Sequence, residues 1–426
     1  MRRYVPAWSL AGPLVATALA AAACAPAFRP VAAPAPADVP ALEARLARDS
    51  SDVDAMISLA AAYRVADRLA EARRLLERAN SLRPDDPDAV FYLGLTYEDL
   101  ERYDDAARFY RRYIAVGGSA PLKSRLEARL RLLEHRRLLA AVRRALADEA
   151  ELAAAPPQPS TVAVFPFLFA AADSTLRPLS RALAELLVTD LSQTDRLTVL
   201  ERTRVQLLLD EMRLARTGVV DPATAARSGR LLGAGRIVQS RIEGDETALR
   251  LEAAVVDVAR GTEDARVTPV TQEDALRDLF DMEKRLALDI YRTLGVELTV
   301  AERERVQRRP TENVRALLEF GLGLAEADEG RFAAAAAHFS RAAELDPAFE
   351  LARARAAAAA AMAAAAGTST RRLAQDGTTA SLPSIDFGLL DELVPNFGGR
   401  DAASELLGSE GVDGRAAILQ IILRVR

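Results

Sequence analysis

Leu59-Ala60-Ala61-Ala62-Tyr63, followed by Ala72, Leu76, Ala79 and Pro84, is the stretch whose reading decides the fold, because it is written twice. Leu59, Ala60, Tyr63, Ala72 and Leu76 return 34 positions later as Leu93, Gly94, Tyr97, Ala106 and Tyr110. Steps of three and four between apolar positions read as helix, and a period of this length is that of a helix pair stacked on its neighbour. Small residues at 60 and 94 let the first helix of each pair approach the second, and Ala72 and Ala106 do the same from the other side. Pro84 stops the second helix, and Asp86-Pro87-Asp88 starts the next one. The second copy ends instead in Gly117-Gly118-Ser119-Ala120-Pro121.

A third copy stands far downstream. Gly323, Ala335, Phe339, Ala342 and Pro347 keep the internal spacing of Ala60, Ala72, Leu76, Ala79 and Pro84, with Glu326 where the first two copies have tyrosine. An Ala-rich helix from about Phe349 to Ala366 follows, ends at Gly367 and would cap this copy. One pair with a cap cannot bury a solenoid core alone, so it is expected to dock on another part of the chain, the central segment. The period and the residue pattern resemble the tetratricopeptide repeat. That resemblance implies a concave groove holding a protein or peptide partner.

From Leu122 to about Ala153 the spacing predicts a long amphipathic helix. Leu126, Leu130 and Leu133 form one stripe, Leu139, Val142 and Leu146 another, and the phase slips near His135-Arg136-Arg137, where a kink or a junction is expected. Its basic residues, Arg129 and Arg136 among them, read as a solvated face.

Between Pro156 and Pro310 strands alternate with helices. Strands are expected over Thr161–Phe167, Arg196–Glu201, Arg236–Glu243, Ala248–Val258 and, more weakly, Ala265–Thr271. Helices are expected through Leu179–Leu191, through Val205–Met212, from Asp221-Pro222 to Gly233, and through Leu276–Ile290 before Gly295. Leu186-Leu187-Val188-Thr189-Asp190-Leu191, Arg196 to Arg202, Gly218 to Ala225 and Gly229 to Val238 resemble the curli-assembly transport lipoprotein family (CsgG/HfaB type). The resemblance covers roughly residues 160–300. It implies an α/β unit in a periplasm-facing outer-membrane lipoprotein that can self-associate. Two departures argue against carrying over the ring channel of that family. The strands leave no room for extra membrane-inserting hairpins. The family's Tyr/Asn/Phe constriction loop also has no counterpart, since residues 151–300 contain no Asn and only Tyr291.

The chain begins as an exported one. Arg2 and Arg3 precede an apolar run from Leu10 to Ala23, too short to span a membrane, which ends at Ala22-Ala23-Cys24. Cys24 is the only cysteine, so it has no internal disulfide partner. Lipidation accounts for its position and uniqueness, although Ala21 stands where a lipobox usually has Leu; plain cleavage after the small residues is the other route. The Pro/Ala-rich stretch 25–40 reads as a tether. The segment 368–426 reads as a flexible tail whose last run, Ala416 to Arg426, is either an added strand or a loose end.

The net charge of −5 gives no basic field for nucleic acid. His135 and His338 stand alone, with no metal-ligand spacing. Gly229, Gly233 and Gly235 lack the order of a dinucleotide loop, and no serine has the setting of a nucleophile. The expectation is therefore multidomain, α plus α/β. Tetratricopeptide-type pairs (41–153 and 311–367) flank a three-layer α/β domain (160–300), with no catalytic site, metal or cofactor. Its partners would be a protein or peptide in the groove, a membrane through the lipid, and further copies of itself. The expected role is a periplasm-facing outer-membrane scaffold or adaptor in envelope assembly or secretion, with a curli-type secretion channel component as the alternative.

Overall fold

The computed structural model describes residues 38–116, 120–152, 157–171, 173–212, 222–245, 247–258 and 267–379. Cys24, the leader, most of the tether and the terminal apolar run lie outside them.

The N-terminal part is a stack of helices: α1 (Val39–Arg48), α2 (Val53–Val65), α3 (Leu69–Leu82), α4 (Pro87–Asp99) and α5 (Tyr103–Val116). The 34-residue period is exact in the backbone, since α4 and α5 each begin 34 positions after α2 and α3. Asp52 and Asp86 cap the first helices by accepting from backbone amides of the first turn. The turn inside each pair is a Schellman motif: Arg68 N donates to Tyr63 O, and Asp67 N to Arg64 O, with Asp67 at φ 59°. Glu101 (φ 57°) and Arg102 repeat this geometry.

The small residues pair with large ones. A Cβ on Gly94 would meet the Tyr110 ring at 2.4 Å, while in the first pair Ala60 and Leu76 hold these positions, both buried. Tyr63 Oη donates to Glu43 at 2.7 Å, and Tyr97 Oη to Glu77 at 2.6 Å. Glu43 thus stands to Tyr63 as Glu77 stands to Tyr97, so α1 takes against α2 the position that α3 takes against α4. The sequence carried this signal in Leu42-Glu43, which lies 34 positions before Leu76-Glu77.

Helix α6 (Ala120–Ala147) runs unbroken through His135-Arg136-Arg137, and what stands there is a junction. The phase slips because the helix changes partner at that point. Leu122, Leu126 and Leu133 pack into the N-terminal stack, whereas Val142, with Leu138, Leu139 and Leu146, packs against the sheet of the α/β segment. On a further side Leu132 meets Phe332 and Ala365. One helix therefore serves three neighbours. Arg129, read as solvated, is buried at 4% exposure. A short α7 (Glu149–Leu152) follows.

The sheet comprises β1 (Gln158–Val164), β2 (Leu168–Phe169), β3 (Thr198–Val199), β4 (Ala234–Gly244), β5 (Leu249–Asp257) and β6 (Val267–Asp274). Its order is β3-β1-β4-β5-β6, with β2 also pairing β4. β1 lies parallel to β3 and β4, and β4–β5–β6 form an antiparallel meander. Two expected strands differ from the reading. The first runs over Gln158–Val164 rather than Thr161–Phe167 and ends before Pro166, which has no N–H to donate, and β2 follows it; Arg196–Glu201 keeps only two ladder residues.

Alternation along the strands feeds two layers. Val162, Val164, Val238, Ile242 and Leu251 face α8 (Leu179–Leu191) and α11 (Leu279–Thr293). Ala163, Phe165, Ile237 and Val256 face α9 (Arg202–Glu211), α10 (Pro222–Leu232) and the end of α6. Gly233 (φ 70°) and Gly295 (φ 71°) end α10 and α11 in the left-handed region.

After α12 (Val300–Val306), the last pair is α13 (Val314–Asp328) and α14 (Phe332–Leu345), followed by α15 (Glu350–Ala366) and α16 (Thr370–Thr379). Gly330 (φ 73°) takes the turn position of Asp67 and Glu101, and a Cβ on Gly323 would meet the Phe339 ring at 2.6 Å. The pair lies on α8: Phe320, Phe339 and Phe349 share one buried cluster with Leu183 and Leu187. Two expectations change here. Gly367 sits at φ −73°, an ordinary helical value, so it ends α15 without a left-handed turn. The first part of the expected tail is helical, as α16.

Candidate protein-docking face

The repeat positions all take part in packing within the helix pairs. Leu59, Ala60, Tyr63, Ala72, Ala79, Leu93, Tyr97, Ala106, Ala335, Phe339 and Ala342 are buried. Gly94 and Gly323 admit the facing aromatic rings, while Pro84 and Pro347 stand just beyond the ends of α3 and α14. None of them presents a polar atom to a common site. Those of the N-terminal pairs pack α2 against α3 and α4 against α5, and the candidate site lies on the surface that α2 and α4 form.

On that surface Arg64 of α2 reaches Asp99 of α4 at 2.6 Å, both largely covered, and its guanidinium lies over the Tyr92 ring, 5.8 Å from the centroid. Burial pushes the Tyr92 hydroxyl up to about 12, so it stays a neutral donor. The Nε of Arg64 is buried with no hydrogen-bond partner. Helix α16 lies across this surface. Thr370 Oγ1 donates to Asp99 Oδ1 at 2.6 Å, Arg371 donates to the Val65 carbonyl at 3.1 Å, and Leu373 is buried (2% exposed) within the N-terminal cluster. A cavity of about 630 Å³ remains between α2, α4 and α16, lined by Ala61, Arg64, Val65, Tyr92, Asp99 and Ala374.

The seat of α16 is fixed from behind by a buried charge cluster. Glu98 accepts from Arg129 Nε at 2.9 Å, from Tyr110 Oη at 2.9 Å and from Arg136 at 3.1 Å. Arg129 Nη1 donates onward to the carbonyls of Ala365 and Thr368, both at 2.6 Å. Burial, then the Glu98 carboxylate, holds the Tyr110 hydroxyl well above its ordinary value. For Arg129 burial disfavours the charge, and the bonds to Glu98 more than offset it, leaving the group more firmly charged than usual. This cluster ties α4 and α6 to the end of α15. Sequence reading missed it, since neither Glu98 nor Arg129 belongs to a motif.

A second cluster moors the last helix pair to the α/β segment. Arg202 of α9 bonds Asp328 at 2.6 and 3.0 Å and Glu185 at 3.1 Å. Arg181 reaches Asp328 at 2.9 Å, and Arg355 of α15 pairs with Glu185. Gly321 permits the approach, because a Cβ there would lie 2.2 Å from the Pro178 carbonyl. A third cluster sits inside the α/β segment. Lys284 Nζ lies 2.7 Å from Asp190 and 3.1 Å from Glu283, all three buried. Burial, then the adjacent Glu283 carboxylate, raises Asp190, and Lys284 offsets only part of this.

The histidines stand apart. His135 packs edge-on against Phe332 and burial lowers its pKa, while His338 Nδ1 lies 2.8 Å from Glu319. Among the described residues no group of His, Cys, Asp or Glu side chains could hold a metal ion, and no helix is long and apolar enough to cross a membrane.

Residues 144–265 match the family model described as "Curli production assembly/transport component CsgG". The match starts in the last turn of α6, upstream of the roughly 160–300 read from the sequence, and ends before β6 and α11. No curated protein matches the chain. Among solved structures, the C-terminal domain of LpoB from Salmonella enterica aligns with 29% of this chain and 86% of its own length, at 14% identity and a TM-score of 0.23. Over residues 144–265 the chain is similar to CsgG-type assembly and transport components.

Proposed function

We propose that the protein is a non-catalytic scaffold of the bacterial outer envelope, held at the outer membrane through Cys24 and facing the periplasm. In this reading it binds other proteins through tetratricopeptide-type pairs placed on either side of a CsgG-like domain. The observation that carries the reading is the CsgG match over residues 144–265, within an α/β segment that carries helix pairs on its flank. The division into domains, the absence of catalysis and self-association belong to the same proposal. Membrane fractionation tests the anchor. Globomycin treatment, or Cys24→Ser, is expected to release the protein from the membrane fraction, and unchanged fractionation would sink the anchored reading. A detergent-dependent ring that conducts in planar bilayers would instead favour a curli-type channel component.

A further inference from the structure

Helix α16 covers the surface formed by α2 and α4 with one buried side chain among those described, Leu373. The Thr370–Asp99 bond and the Arg371 bond to the Val65 carbonyl join it. The helix is ten residues long and includes Gly377, Thr378 and Thr379, which are poor helix formers, and so short a helix is marginal in water without packing. It leaves the 630 Å³ cavity beside it unfilled, with the buried Arg64 Nε unpartnered at its wall. Its delivery, by contrast, is firm. Arg129 clamps the carbonyls of Ala365 and Thr368 on either side of Gly367, so the α15–α16 joint is held by contacts that α16 does not make.

We infer that the α2–α4 surface is a docking site for a short amphipathic helix, and that α16 occupies it in cis until a partner displaces it. The partner's chemistry is written in α16 itself: a hydroxyl residue, two basic residues and a leucine, Thr370-Arg371-Arg372-Leu373. The hydroxyl meets Asp99, a basic residue reaches the C-terminal carbonyls of α2, where a cation is favoured, and the leucine enters the apolar cluster. Asp67 and Asp99 are the lining carboxylates that a basic segment can meet, Asp99 being shared with Arg64. A partner that also fills the cavity gains contacts that α16 lacks, which it needs because a tethered helix competes at a high effective concentration.

This deepens the scaffold reading by naming the occupant of one face, and its test is independent of the lipid anchor. The probe is a fluorescein-labelled peptide of residues 368–379, titrated against the full chain and against the full chain carrying Leu373→Asp, which unseats α16. The variant is expected to bind at least tenfold more tightly than the parent chain, and Asp99→Asn in that background should remove most of the gain. Equal binding by the two chains overturns the inference. So does absence of binding by a variant whose circular dichroism and melting match the parent. If Leu373→Asp does not fold, hydrogen exchange of the parent chain decides. Amides of α16 exchanging at least a hundredfold faster than those of α4 support a displaceable helix, and equal protection refutes it. The membrane result can fail while the peptide result stands, and the reverse.

Discussion

The N-terminal helix pairs and the pair α13–α14 share one local design and differ in what they lean on. Both have a small residue facing a large one across the pair, Gly94 against Tyr110 and Gly323 against Phe339, and the same left-handed turn. At the position where Tyr63 and Tyr97 donate to a carboxylate of the preceding helix, α13 carries Glu326, which pairs instead with Arg331 of its own turn. No preceding pair exists for it to reach. In exchange α13 has Gly321 against the Pro178 backbone and Asp328 in the Arg202 cluster. The 34-residue pattern therefore specifies a pair, and the residues outside the pattern decide whether it stacks on a sibling or docks on a sheet.

The sharpest way to break this contrast is to remove Arg202. Arg202→Met leaves Asp328 and Glu185 buried, with only partly exposed arginines as partners, and a buried pair broken in this way costs about 3–5 kcal/mol. Denaturant unfolding should show the loss. Hydrogen exchange should place it in α13–α15, with α2–α5 unchanged. A loss spread evenly over both sets of pairs would mean that the cluster does not moor the C-terminal one.

These clusters mark the limit of what the sequence made legible. The pairs could be read because their packing is local, with Ala60, Gly94 and Gly323 each recurring at a fixed distance from a large partner. The strands could be read from β-rich runs between turns, and the α/β segment from its resemblance. The missed features all depend on distant residues. The slip in α6 left a kink and a junction equally open, since a sequence does not say that Leu133 and Val142 face different cores. Arg129 looked solvated because Glu98 lies 31 positions away and the carbonyls it holds lie more than 230 away. α16 passed for tail because its one apolar anchor, Leu373, has its partners near the other end of the chain.

A second test separates the α/β segment from the helix stack by pH. Burial and the adjacent Glu283 carboxylate push Asp190 up to about 9 in the folded state, against the ordinary carboxylate value when unfolded. The folded state then binds more protons across that window. Stability from this group is complete at acid pH and falls as pH rises through it, by about 1.4 kcal/mol per pH unit at most. Asp190→Asn cannot titrate, so urea unfolding at pH 6 and pH 8 should differ less for the variant, by about 2–3 kcal/mol at most. Parallel profiles would show that Asp190 is ionised in the fold.

A third test compares the two glycines of the pairs. Gly94→Ala and Gly323→Ala each push a methyl into a buried ring, and overpacking of this kind costs about 1–3 kcal/mol. Gly367→Ala, with only two carbonyl oxygens at ordinary contact distance and an ordinary φ, should leave the melting temperature nearly unchanged. If the shared design is real, the two pair glycines will respond alike despite their different surroundings.

The smallest effect is a gain. Asp67 and Glu101 hold the left-handed turn position that Gly330 holds in the C-terminal pair, and a side chain there costs about 1–2 kcal/mol against glycine, less whatever its polar group recovers locally. Glycine also loses more chain entropy on folding, roughly 0.5–1 kcal/mol, so the net stabilisation from Asp67→Gly or Glu101→Gly should be a few tenths to about 1 kcal/mol. Differential melting of the single and double variants resolves a shift of that size. Additive gains would mean that the two turns are equivalent and independent, as their 34-residue relation requires. A loss at Asp67 alone would point to the docking face, since Asp67 lines the cavity beside α16 and Glu101 does not.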